Sequence, residues 1–226
     1  MHTRATPRPP SWARIRVAKR AVDDRAAAYA LLDASLFAHI GFIHEGRPMV
    51  VPMAFARAGD TLYLHGASKT RIVTLGAGAQ LCLEATRVDG LVVARSGFAH
   101  SVNYATCIVH GRGRAVEGAE LDRALDLITD HLLPGRTGEV RAMTDQERKA
   151  TGVVALDAEH VTLKVRTGPP NDPESDRAGG TWGGVLPIVT IFGAGEPDDH
   201  TPEGTPEPAS LAAARARFAT AEEVVL

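Results

Sequence analysis

The residues best suited to chemistry in this 226-residue sequence lie in one short run, Leu64 to Arg71. An apolar stretch ends at His65, and Gly66 with Ala67 allows the backbone to approach a ligand closely. Ser68 and Thr70 bring hydroxyls, and Lys69 and Arg71 bring positive charge. An arginine can hold two oxygens of one phosphate. The run reads as the start of a short helix, Ser68 to Leu75, with Ser68 near its N-cap. Free amides and the helix dipole favour an anion at such a place. Type and placement together point to anion binding. A solvated helix start carrying ordinary surface charges is the alternative reading of the same residues.

The rest of the chain offers little competing chemistry. His39, His44, His100 and His110 form no helical pair on one face, which argues against a metal site. Cys82 and Cys107 sit in apolar runs at a spacing unlike a zinc site or a redox pair, which suits a reducing cytosol. No GxSxG elbow, P-loop or GxGxxG is present. Charged residues make up 23% of the chain and the net charge is −2, so composition suggests neither a general nucleic-acid binder nor a membrane binder. The basic start (Arg4, Arg8, Arg14, Arg16, Lys19, Arg20) lacks the apolar core of a signal peptide, and the expected location is cytoplasmic.

The elements that would position the run are mostly strands. Val22 to Ser35 reads as a helix that Asp23 and Asp24 begin. Leu36–Ile43, Met49–Ala56 and Thr61–His65 read as strands joined by turns at Glu45–Pro48 and Ala58–Asp60. After the short helix come strands at Gln80–Thr86, Leu91–Arg95 and Asn103–Val116. Leu121, Leu125, Ile128 and Leu132 recur at helical spacing, so Glu120 to Leu133 reads as a helix. Val153–Val165 is a last long strand. A Pro- and Gly-rich loop from Gly168 to Gly180 leads into Trp182–Ile191. The order predicts a mainly β fold, a closed or nearly closed antiparallel barrel with helices outside. Residues 1–20 read as a flexible tail, 21–192 as the domain, and 193–226 as an acidic Pro-rich linker with a marginal helix, Leu211 to Ala221.

Several segments resemble the FMN-binding split-barrel proteins related to pyridoxamine 5'-phosphate oxidase, in the flavin-nucleotide-binding or nitroimidazole-resistance-like branch. They are Gly46–Met53, Leu62–Gly66, Ser68–Arg71, Asp89–Arg95, His100–Tyr104, Val109–Gly113, Arg166–Pro170 and Trp182–Pro187. They follow the family's order from about residue 20 to 190. The resemblance implies an antiparallel split barrel with FMN as cofactor. It puts the FMN phosphate on Thr70 and Arg71, with Ser68 and Lys69 adjacent. Val50, Val51, Pro52 and Met53 would run along the isoalloxazine, and His65 would sit near the ring as cofactor contact and candidate catalytic residue. Asn103 and Tyr104 match the family's Asn-Tyr. The resemblance further implies a homodimer with flavin at the interface, where Trp182 could reach the partner's flavin.

Two departures stand out. The family's Tyr-Arg-Ser is Tyr104-Ala105-Thr106 here, and the Arg-rich C-terminal substrate motif of true pyridoxamine phosphate oxidases has no match after Trp182. The expected function is therefore an FMN-dependent oxidoreductase acting on a small molecule. The alternatives are a non-catalytic flavin or haem binder, with His65 or His100 as axial ligand, or a deazaflavin-dependent reductase.

Overall fold

A computed structural model describes residues 9–75 and 78–221. Arg4 and Arg8 of the basic start lie outside the described residues. The nine strands are β1 (Ala21–Val22), β2 (Ala38–His44), β3 (Arg47–Met53), β4 (Phe55–Ala58), β5 (Thr61–Ala67), β6 (Gln80–Val93), β7 (Ser101–Ala115), β8 (Thr151–Arg166) and β9 (Gly184–Pro187). The helices are α1 (Arg25–Asp33), α2 (Arg71–Thr74), α3 (Gly118–Leu132), α4 (Asp145–Ala150), α5 (Glu174–Arg177) and α6 (Ala209–Phe218). All ladders are antiparallel, in the order β3-β2-β6-β7-β8-β5-β4, with β1 added to β8 and β9 to β6.

The sheet is not closed by hydrogen bonds: of the closed or nearly closed forms expected, it is the open, split one. β3 and β4 are its two edges, yet Ala54 alone separates them in the chain. One bent run, Arg47 to Ala58, thus passes from one edge to the other and leaves a split at Ala54. Pro48 and Pro52 suit this edge role, because a proline cannot donate to a ladder on a strand paired at both sides. The single strand expected over Met49–Ala56 is divided for the same reason. The two strands expected over Gln80–Arg95 are instead continuous, with an irregularity between Val88 and Gly90.

The core follows strand alternation. Along β7 the residues Ala105, Cys107 and Val109 point inward and are buried, whereas Thr106, Ile108 and His110 face out. Phe55, Leu32, Ile40, Leu64, Leu83 and Leu156 are fully buried with them. Cys82, on the outward parity of β6, is only half-buried. At Gly111 a Cβ would lie 1.9 Å from the Asp157 carbonyl oxygen, so the β7–β8 crossing demands glycine.

Helices cover the open faces. Asp24 caps α1 by accepting from the Ala27 amide at 3.0 Å. α3 buries Ala124, Leu125, Ile128 and His131. α6 packs tightly rather than marginally: Ser210, Ala214 and Phe218 are buried, and Ser210 donates through its hydroxyl to Glu139 at 2.6 Å. Residues 9–22 lie against β7 and β8, where the Trp12 ring meets His110 and His160 edge-on at 4.9 and 5.6 Å. No helix among the described residues is long and apolar enough to cross a membrane.

Candidate functional site

The split at Ala54 opens into a cavity of about 560 Å³. β3 supplies Val51, Pro52 and Met53, β5 supplies His65 and Gly66, and the following turn supplies Lys69, Thr70 and Arg71. Phe42 and Ile72 complete an apolar wall, and none of the lining residues is acidic. Chain geometry brings these groups together. The bend at Ala54 carries β3 back over the end of β5, and the turn after β5 closes the remaining side.

The turn itself is held from both ends. The Ser68 amide donates to the Ala150 carbonyl at 2.9 Å, and the Thr70 amide and hydroxyl both donate to the Ala67 carbonyl, at 2.8 and 2.7 Å. A Cβ on Gly66 would approach the Thr70 hydroxyl to 2.8 Å, which explains the glycine. The expected helix Ser68–Leu75 is reduced to the single turn α2, with Thr70 rather than Ser68 as N-cap and no side-chain cap bond. A single turn has little dipole, so the positive potential comes from Lys69 and Arg71 themselves. Both are exposed, and among the described residues neither has a carboxylate partner. Thr70 keeps its hydroxyl hydrogen on Ala67 and offers a ligand only acceptor lone pairs.

α4 backs the turn, and the sequence reading missed it. Thr144 accepts from the Glu147 amide while Glu147 accepts from the Thr144 amide at 2.7 Å, a reciprocal cap that was legible as Thr-x-x-Glu. The last residue of α4, Ala150, supplies the carbonyl that holds Ser68.

His65 is half-buried in the cavity wall. Burial holds its imidazole below the ordinary value, against the opposing effect of the Ala54 backbone. Its Nδ1 is buried with no hydrogen-bond partner. An unsatisfied buried polar atom costs about 1–3 kcal/mol. A ligand with a polar atom at this point would offset that cost, so the wall fits a bound group that is partly aromatic and partly anionic.

The other expected site residues lie elsewhere. Val50 is exposed on the outer face of β3 and does not line the cavity. Ser68 contributes its backbone rather than a lining side chain. Asn103 and Tyr104 sit at the far end of β8: Ala67 pairs with Thr151, whereas Tyr104 pairs with Arg166. That is about 50 Å of extended strand. There Asn103 is buried, accepts from Arg166 and donates to the Gly168 carbonyl at 3.2 Å, which fixes the turn after β8. The Tyr104 hydroxyl is held below its usual value by hydrogen bonds with Lys164 and Arg20. Trp182 is 65% exposed and lies over Gly184, where a Cβ would meet its ring at 3.1 Å. The segment before it is pinned by Arg95, which donates to the fully buried Asp172 carboxylate at 2.9 Å and to the Thr181 carbonyl at 3.0 Å. Among the described residues no group of three His, Cys, Asp or Glu side chains could hold a metal ion.

Comparison with known proteins agrees with this architecture. The FAD and haem binding protein from Mycobacterium smegmatis is 33% identical, with a TM-score of 0.82 over 87% of this chain and 97% of that one. The flavocytochrome Anf3 from Azotobacter vinelandii is 32% identical, with a TM-score of 0.84 over 90% of this chain and 96% of that one. A candidate 5-nitroimidazole antibiotic resistance protein from Bacteroides thetaiotaomicron, 22% identical with a TM-score of 0.53 over 64% of this chain and 86% of that one, shares the fold. No curated protein matches the sequence significantly. The family model for pyridoxamine 5'-phosphate oxidase matches residues 24–165, a span that runs from the cap of α1 to the end of β8 and includes the whole split. Split sheet, matched span and full-length relatives agree: the chain belongs to the pyridoxamine 5'-phosphate oxidase family.

Proposed function

We propose that this protein is a flavin- and haem-binding electron-transfer protein, with the flavin phosphate held at Lys69 and Arg71. The observation that carries the reading is the cavity at Ala54. It combines two cations, an apolar wall and the unpartnered ring nitrogen of His65, with no acidic lining residue. Lys69 and Arg71 would neutralise the phosphate, and Val51, Pro52 and Met53 would cover one face of the ring system. His65 would place a neutral imidazole at its edge. When bound, the flavin supplies the redox chemistry; the chain binds it, orients it and limits water around it.

The relative at 33% identity is an FAD and haem binding protein and the one at 32% is a flavocytochrome, which supports FAD in place of the FMN expected from sequence and a haem beside it. The reading includes a homodimer: Asn103 and Tyr104 stand far along β8 from the Lys69 turn, so they would reach the flavin only from a second copy, as would the exposed Trp182. The activity proposed is that of an oxidoreductase passing electrons between flavin, haem and a small acceptor.

The absorption spectrum of the isolated protein tests this directly. Flavin bands together with a Soret band are expected, and heat-released flavin should run as FAD on chromatography. A colourless protein that takes up neither FAD nor FMN would overturn the reading. Sedimentation should give a dimer.

A further inference from the structure

A second cavity, of about 570 Å³, lies at α4, the helix that backs the anion turn. Val140, Arg141 and Met143 line it from the segment before α4, Glu147 and Ala150 from α4 itself, and Thr151 from the start of β8. Its volume falls in the ordinary range for small-molecule sites, about 300–1,000 Å³. It shares no lining residue with the cavity at Ala54, yet the two adjoin. Ala150 accepts the Ser68 amide at 2.9 Å, and the next residue is Lys69. One hydrogen bond and one residue therefore separate the wall of this cavity from the proposed phosphate site.

Its chemistry differs from that of the cavity at Ala54. Arg141 is locked in place: Nη1 donates to Glu147 Oε2 at 2.8 Å and to the Ala142 carbonyl at 3.0 Å, and Nη2 donates to Glu147 Oε1 at 2.6 Å. Glu147 is fixed in turn, because Oε2 also accepts the Thr144 amide at 2.7 Å. Arg141 holds the Glu147 carboxyl at about 2, so the pair stays ionised and neutralises itself. The guanidinium thus has no charge to spare for a phosphate, and its side chain is largely exposed. A guanidinium held in one plane is a stacking surface for a flat base. Val140 and Met143 flank it in sequence on either side, and both are apolar and exposed. Thr151 donates its hydroxyl hydrogen to the Glu147 carbonyl at 3.0 Å, which leaves lone pairs to accept from an amino group or a sugar hydroxyl.

Resting on the reading that Lys69 and Arg71 hold the flavin phosphate, we infer that this cavity is a purine subsite, where the adenine of a flavin dinucleotide stacks on Arg141 between Val140 and Met143. The two cavities divide the ligand by charge. Two cations without an acidic neighbour take the phosphates, and an internally neutral, partly apolar surface takes an uncharged base. FMN ends at the phosphate and would leave the α4 cavity untouched. FAD continues past it through a second phosphate and a ribose, in the direction that Ala150 and Ser68 connect. Arg141, Val140 and Met143 thereby become residues that distinguish the dinucleotide from the mononucleotide. Glu147 acts through Arg141 and is a positioning residue.

The test is parallel titration of the full-length protein with FAD and with FMN, followed by fluorescence quenching. Wild type should bind FAD more tightly than FMN. The double variant Val140→Ser, Met143→Ser should bind FAD about tenfold more weakly, the scale of losing part of two apolar contacts. Arg141→Lys keeps the charge but loses the flat face, and should shift FAD in the same direction. FMN affinity should stay at the wild-type value in both variants, which shows that the anion turn is intact. A preference for FAD that survives both variants would overturn the subsite. So would an equal loss for both flavins, which would make these residues supports of the turn. A wild type that binds FMN as tightly as FAD would overturn the subsite and leave the phosphate reading standing. Failure to bind either flavin would overturn both.

Discussion

Arg217 donates through Nη2 to Nδ1 of His131 at 3.3 Å, joining α6 to α3 across the top of the core. The bond fixes the tautomer, because Nδ1 must be the acceptor. Nε2 therefore carries the proton and donates to the Ser35 carbonyl at 2.7 Å. His131 is thus a neutral imidazole between two helices and the α1–β2 connection, with the Phe55 and Phe218 rings beside it.

That arrangement sets a pH dependence. Burial, aided by Arg217, holds the His131 pKa below its ordinary value of 6.5. Burial does the same for His65 and His110. The unfolded chain takes up protons that the folded chain refuses, so the stabilisation is complete above about 6.5 and is lost as the pH falls below it. Thermal denaturation should show the melting temperature dropping through that range. In His131→Phe the curve should start lower at neutral pH and fall less steeply on acidification.

The anion loop makes a graded prediction. Arg71→Ala should weaken flavin binding by about tenfold to a hundredfold, if charge-assisted bonds to phosphate are lost. Lys69→Ala should act in the same direction and by less, because a lysine offers a point charge rather than a fork. Thr70→Val should destabilise the turn more than it changes contacts to ligand, since the hydroxyl serves the Ala67 carbonyl. Fluorescence quenching titrations with FAD and FMN would resolve the three. Equal affinity in wild type and Arg71→Ala would remove the phosphate from this loop.

The Arg95–Asp172 pair should matter for order near Trp182. The Asp172 side chain is fully buried and Arg95 is its ion-pair partner. Arg95→Ala removes the charge partner and leaves the buried carboxylate only the Arg95 backbone amide at 3.3 Å, which should cost about 3 kcal/mol. Hydrogen exchange should then speed up across Thr181 and β9 well before the central strands. Chemical denaturation with an unchanged midpoint would contradict this.

Gly111 is a third stability test. Alanine there places a methyl on the Asp157 carbonyl, a backbone atom that cannot step aside. Gly111→Ala should lose about 3 kcal/mol or more. Alanine at Gly97, where a Cβ meets nothing within 4 Å, should be close to neutral. Paired urea melts of the two variants give the comparison.

The sequence by itself determined the local elements and the charge of the anion loop. Alternation along Asn103–Val116 and the helical spacing of Leu121, Leu125 and Ile128 are nearest-neighbour patterns, and Lys69 and Arg71 are adjacent to the strand end that presents them. The pairing of distant segments was decided only in three dimensions. Nothing local says that Pro52 marks an edge, that the bend at Ala54 makes the split, or that His39 faces Glu84. Those follow from the order of strands in the sheet, which long-range burial selects. The same physics placed α6: its sequence has no strong amphipathic pattern, and it is held by Ser210, Arg217 and Phe218 meeting Glu139, Asp33 and His131. It also separated Tyr104 from Arg71, which read as one site along the chain but stand at opposite ends of β8.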